Sequence, residues 1–227
     1  TVLQSGEVAY GTVPTAPAAT LPENTAQYTY SFGGWDSEVV DVTGPATYTA
    51  VINRTLNKYE VVFKDYDGLV LKSAVEYDYG TSADNVVKPS DPTRENTAQY
   101  TYTLKGWNPS IGEVTGAAVY TAEYDSTVRS YEIAFVNGSS TLQSGTVEYG
   151  QTPIYSGEAP TKTATAQYTY SFKGWNPAIA SVTGATTYAA VFDSVVNKYL
   201  ITFKNGSEVV QADSVAYGAV PEKPVIT

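Results

Sequence analysis

The chain has no cysteine, no histidine and no methionine in its 227 residues. Without cysteine there is neither a disulfide framework nor a thiolate metal site. Without histidine the commonest general base and the commonest neutral metal ligand are both missing, so any chemistry would fall to carboxylates, lysine, tyrosine and hydroxyls. Positive charge is scarce as well. Thirteen Lys and Arg against 23 Asp and Glu give a net charge of -10, and with no basic patch in view this argues against nucleic acid and anionic membrane as partners. No apolar run approaches the ~18 residues of a membrane-spanning helix, and no signal-peptide pattern opens the chain. Lack of cysteine fits a bacterial exterior as well as cytoplasm.

Tyrosine is abundant, with 20 copies, and the three tryptophans mark an internal repeat. TAQYTYSFGGW (Thr25 to Trp35), TAQYTYTLKGW (Thr97 to Trp107) and TAQYTYSFKGW (Thr165 to Trp175) place each Trp at one equivalent position, 72 and then 68 residues apart. Self-similarity at a fixed period marks a tandem array of small structural units. Units of about 70 residues lie near the lower limit for a self-sufficient core, and aromatic side chains supply the large buried area such a core needs.

Within a unit, the alternation on either side of Asn137-Gly138 and Asn205-Gly206 predicts a hairpin with a type I′ turn, a role taken by Asp67-Gly68 in the second copy. A proline-bearing crossover follows, with a short helical turn expected within Ser82 to Val87. The distance from the Tyr-Gly glycine to the Trp is 24, 27 and 25 residues in the three copies, the variability of a surface connection. TAQYTYSFKGW reads as a half-buried, central strand of period two, with the Gly before each Trp giving room for a bulge. Val-Thr-Gly recurs at Val42, Val114 and Val182, and a last strand carries Tyr48, Tyr120 and Tyr188, each 13 residues after its Trp. That constant spacing predicts fixed packing, with the Trp as the hub of the core. Linkers of about four to six residues, such as Arg54 to Asn57, predict an elongated string with little hinge freedom.

The expected organisation is an incomplete repeat over residues 1–55, complete repeats over 56–127 and 128–195, and the N-terminal part of a further repeat over 196–227. In an alternative frame the KYEVVFK strand closes each unit. The chain reads as an excerpt of a longer protein, and the truncated ends could complete one another between chains by strand pairing.

Few residues point to chemistry. Lys64 to Gly68 has two carboxylates spaced as at the start of a calcium loop, but Leu69 and Val70 stand where further oxygen ligands belong, so a hairpin turn is expected. Asp125 and Asp193 follow the last strand, where solvated acids are the default and calcium at the joints the alternative. Asn53-Arg54-Thr55 fits the glycosylation pattern formally. No nucleophile with a neighbouring base and no glycine-rich phosphate loop can be assembled, so the chain is not expected to be an enzyme, and no metal or cofactor is implied. Tyr28, Tyr30, Tyr100, Tyr102, Tyr168 and Tyr170 are the candidate binding residues, as an aromatic groove for peptide or glycan.

The order of marks along the chain resembles the Listeria–Bacteroides repeat, the B repeat of the internalins. The matching residues are Tyr59, Tyr131 and Tyr199 of the first strand; Gly80, Gly150 and Gly218; Gly106-Trp107 and Gly174-Trp175; and Tyr120 and Tyr188. The short Val-Thr-Gly connection after the Trp departs from the family pattern. The resemblance implies mainly β, β-grasp-like modules with little helix, arranged as a rod outside a bacterial cell, at its surface or attached to its wall. It further implies a non-enzymatic stalk or spacer of a cell-surface protein or adhesin that projects a distal domain. The alternative is a module that binds host protein or glycan through exposed Tyr and Trp.

Overall fold

The computed structural model describes residues 1–225, so the last two residues of the expected fourth segment lie outside the described residues. The chain divides into two compact units, Thr1–Arg94 with Tyr102–Asp125, and Glu95–Thr101 with Ser126–Thr227. In chain order, β1 (Tyr28–Trp35) and β2 (Ala50–Leu56) form an antiparallel pair. The strands β3 (Lys58–Lys64), β4 (Val70–Asp78), β5 (Tyr100–Asn108) and β6 (Ala118–Val128) follow and build a sheet in the order β4-β3-β6-β5. The pattern returns in β7 (Ser130–Asn137), β8 (Ser140–Glu148), β9 (Tyr168–Asn176) and β10 (Thr186–Val196), ordered β8-β7-β10-β9. A last hairpin joins β11 (Lys198–Asn205) and β12 (Glu208–Ala216). Each four-stranded sheet has a parallel central pair, β3 with β6 and β7 with β10, flanked by antiparallel partners; this is a β-grasp-like order. Where a crossing helix would lie, residues 79–99 run as loop with a single 3-10 turn at Ala83–Asn85, inside the span where a helical turn was expected.

The core of each sheet is a set of aromatic rings around one phenylalanine. Phe63 and Phe135 are 1% exposed and belong to the first strand of their modules. Trp107 meets Phe63 edge-on with ring centres 4.8 Å apart, and Tyr120 lies 5.3 Å from it. Trp175 and Tyr188 stand 4.8 and 5.1 Å from Phe135. The fixed Trp-to-Tyr spacing therefore holds because both rings close on the same Phe. The Trp is not the hub: it is half-buried, while the fully enclosed ring belongs to the central strand, shielded on both sides by neighbouring strands. Enclosing a Phe this completely contributes about 1.5–3 kcal/mol.

Three further expectations are corrected. TAQYTYSFKGW forms an edge strand and not a central one, because among the described residues β5 and β9 pair only with β6 and β10. The Asn-Gly hairpins are not type I′. Asn137 and Asn205 end their strands opposite Ser140 and Glu208, Gly138 (φ 62) and Gly206 (φ 59) open the two-residue loops, and among the described residues no non-glycine residue has positive φ. Glycine at the first loop position, with positive φ there alone, is the type II′ arrangement. In the second copy the turn is longer: Gly68 N–H donates to the Asp65 carbonyl at 3.0 Å and Asp65 N–H to the Leu69 carbonyl at 2.8 Å.

Candidate functional site: the joint between repeats

A single residue separates the last strand of one sheet from the first strand of the next: Asn57 between β2 and β3, Arg129 between β6 and β7, Asn197 between β10 and β11. The expected linkers of four to six residues are absent because all but one residue of each such segment is strand. Thr55 and Leu56 pair with Thr29 and Tyr28, and Ser194, Val195 and Val196 pair with Tyr170, Thr169 and Tyr168. Hydroxyl and charged side chains on an exposed strand end look the same in sequence as a flexible linker.

The TAQ of each TAQYTY stretch supplies the other half of the joint. Thr25 folds the segment into a local turn, its Oγ1 accepting the Tyr28 N–H at 2.9 Å; Thr97 and Thr165 repeat this with Tyr100 and Tyr168 at 2.9 and 3.0 Å. Short hydroxyl side chains favour such turns because they replace a backbone acceptor. The turn leaves three successive carbonyls facing the junction residue. Asn57 fills them: its backbone N–H donates to Gln27 O at 2.9 Å, and its Nδ2 donates to Thr25 O at 2.9 Å and Ala26 O at 3.0 Å. Its Oδ1 accepts from Thr29 Oγ1 at 2.7 Å, and its backbone carbonyl accepts from Tyr79 N–H at 2.8 Å. The Tyr59 hydroxyl adds a bond to Ala26 O at 2.7 Å.

Asn197 reproduces the set. Its N–H donates to Gln167 O at 2.8 Å, its Nδ2 to Thr165 O and Ala166 O at 2.7 and 3.1 Å, and Tyr199 OH reaches Ala166 O at 2.6 Å. Arg129 occupies the middle junction with a different side chain and the same backbone bond, its N–H on Gln99 O at 2.9 Å. Its Nη1 donates to Thr97 O at 2.8 Å, and Tyr131 OH donates to Ala98 O at 2.5 Å. A typical hydrogen bond of this kind contributes about 0.5–1.5 kcal/mol net.

A second repeated contact fixes the loops under the core. Gly80 N–H donates to Val114 O and Val114 N–H to Thr81 O, at 2.8 and 2.9 Å; Gly150, Val182 and Gln151 repeat the exchange at 2.8 Å each. Val114 and Val182, each 2% exposed, plug the core at this point, which accounts for the recurrence of Val-Thr-Gly. Before each Trp, Gly34, Gly106 and Gly174 adopt φ of 114, 148 and 150°, and the β1–β2 and β9–β10 registers shift at this step, so the bulge is present.

The six candidate tyrosines are half-buried. Cations of the chain lie over three of their rings: Arg54 5.0 Å from the centre of Tyr28, Arg94 3.8 Å from Tyr102 and Lys162 4.1 Å from Tyr170. Arg94 also lies 4.1 Å over Tyr66, beside the one buried charged residue among those described, Asp65. Tyr124 OH donates to Asp65 Oδ1 at 2.9 Å; burial, reinforced by that carboxylate, pushes the Tyr124 hydroxyl up to about 12. The Lys64–Gly68 stretch is thus a turn with its first acid bonded inward. Asp193 is paired with Lys173 at 2.8 Å, a hydrogen bond that holds the Lys173 ammonium above its ordinary range. Among the described residues no group of three acidic side chains is placed to hold a metal.

The joint residues Asn57, Asn197, Tyr59 and Tyr199 were not singled out as functional by sequence reasoning. The available signal was the recurrence of T-A-Q, which no period-two strand requires, together with a Tyr two residues beyond each junction.

Sheet and joint define the class: a tandem array of small β-modules, each passing directly into the next through a one-residue, hydrogen-bonded seam. No family model matches the chain, and no curated protein matches it. Among solved structures it is similar to streptococcal High Identity Repeats in Tandem (SHIRT) domains 3–4 from a cell surface protein, at 16% identity and a TM-score of 0.33, covering 61% of this chain and 99% of that one.

Proposed function

We propose that the chain is a run of spacer modules, akin to the Listeria–Bacteroides repeat, from the stalk of a bacterial cell-surface protein, with repeats at 56–127 and 128–195. The carrying observation is the joint: in all three copies the junction residue donates its backbone N–H to the TAQ glutamine carbonyl and its side chain to the TAQ threonine carbonyl, while the Tyr two residues on donates to the alanine carbonyl, and a single residue lies between the strands. A linker selected for independent tumbling would carry Gly or Ser and leave its backbone to water. The cations over Tyr28, Tyr102 and Tyr170 support the same reading, because they lie on ring faces that a stacked sugar would use. The test is binding of the purified repeats to glycan arrays and host surface proteins. No specific binding is expected; a micromolar interaction lost on Tyr102→Ala or Tyr170→Ala overturns the spacer reading in favour of recognition through the tyrosines.

A further inference from the structure

In a complete module the strand that enters and the strand that leaves are neighbours in the middle of the sheet and run parallel. Ile133 to Val136 of β7 pair with Thr186 to Ala189 of β10. Ser130 precedes this overlap at one end, and Ala190 to Val196 continue past the other. Val61 to Lys64 of β3 pair with Ala118 to Thr121 of β6 in the same way. Tension applied through the chain therefore pulls the two central strands in opposite directions along their common axis. In a parallel ladder the hydrogen bonds are evenly spaced, so all of them are loaded together and none can break first at low cost. Sliding also drags Phe135, 1% exposed and stacked on Tyr188 with centres 5.1 Å apart, through a close-packed core. Beyond β10 the single residue Asn197, bonded at 2.7 and 3.1 Å to the Thr165 and Ala166 carbonyls, leaves no loop to pay out before the load reaches β11.

We infer that each complete module is a tension-bearing clamp, in which β7 and β10, or β3 and β6, resist pulling in shear. This rests on the spacer reading for its biological setting, while its physics stands on the sheet alone. The hairpin pair β7–β8 gives the internal control. Ser130 pairs with Glu148 at its open end, so pulling on those two residues peels the ladder one bond at a time.

The chain has no cysteine, so tethers can be placed at chosen positions of the full protein. Single-molecule pulling through Ser130→Cys with Val195→Cys loads the module in shear; Ser130→Cys with Glu148→Cys unzips it. All three positions are exposed, and an unchanged urea midpoint shows that both variants fold alike. Forced rupture reports the unfolding barrier and not the equilibrium stability. At one loading rate the shear pair is expected to break at severalfold higher force than the unzipping pair. Equal or lower force in shear overturns the clamp, and if the repeats also bind no ligand the spacer reading survives that failure. Specific ligand binding overturns the spacer reading and leaves the force result untouched.

Discussion

Asn57 and Asn197 each engage both backbone groups and both ends of the carboxamide, and no other side chain of that size offers two donors and an acceptor in that layout. Asn197→Ala is expected to leave the exposed Thr165 carbonyl and Thr169 hydroxyl to water, while the Ala166 carbonyl keeps the Tyr199 hydroxyl, at a cost of about 0.5–1.5 kcal/mol. Hydrogen exchange would show it as lost protection in β11 and β12 while β7 to β10 stay protected. Asn197→Arg, which copies the Arg129 junction, should recover part of the loss. Tyr124→Phe removes the hydroxyl bonded to the buried Asp65 carboxylate and should also cost about 1–3 kcal/mol in urea unfolding. The sign of its pH dependence follows from a hydroxyl raised from 10.0 to about 12. The stabilisation it gives is complete below pH 10.0 and is lost as pH rises towards about 12. The wild-type chain should therefore lose a stability increment in that alkaline window that Tyr124→Phe lacks.

At the scale of the strand, β5 and β9 are exposed edges, and unpaired edges invite pairing with other chains. Each carries a lysine in the middle, Lys105 and Lys173, paired to Glu123 at 3.6 Å and Asp193 at 2.8 Å on the neighbouring strand, and each is bent by a glycine just before the Trp. These are two of the devices by which edges are kept from associating. The glycine also aims the Trp. Gly174 has φ of 150° with nothing within 4 Å of where a Cβ would sit, so Gly174→Ala meets a backbone penalty without a clash. A loss of about 1–3 kcal/mol is expected. Trp175 emission should shift to longer wavelength if the bulge is lost and the indole swings out from Phe135; an unshifted spectrum at full stability would remove the bulge from the account of the core.

At the scale of the molecule, the charge balance sets how the array responds to its medium. A net charge of -10 makes the folded chain self-repelling. Only three ion pairs are described, all between exposed side chains, and each such pair contributes about 0–1 kcal/mol. Raising salt from about 0.01 M to about 0.15 M shortens the screening length from about 30 Å to about 8 Å. Screening of the acidic excess is expected to outweigh the weakening of the three pairs, so the thermal midpoint should rise with sodium chloride. A falling midpoint would mean that the pairs matter more than the excess.

The repeat, its length, the β class, the hairpin positions, the bulge glycine and the fixed spacing of Trp to Tyr were all legible in the sequence. Each is a local or periodic property, written in alternation, in positive-φ glycines and in self-similarity. Three things were decided only by the tertiary structure. Strand order made TAQYTYSFKGW an edge, because period two reports which face is buried and not which strand lies alongside. The core centre fell to Phe63 and Phe135 and not to the tryptophans, because enclosure depends on neighbours on both sides. The joint could be seen only once Asn57 and Asn197 were set against carbonyls some 30 residues earlier in the chain. Backbone acceptors have no signature in sequence, since every residue carries one, and only the fold determines which of them meet a donor.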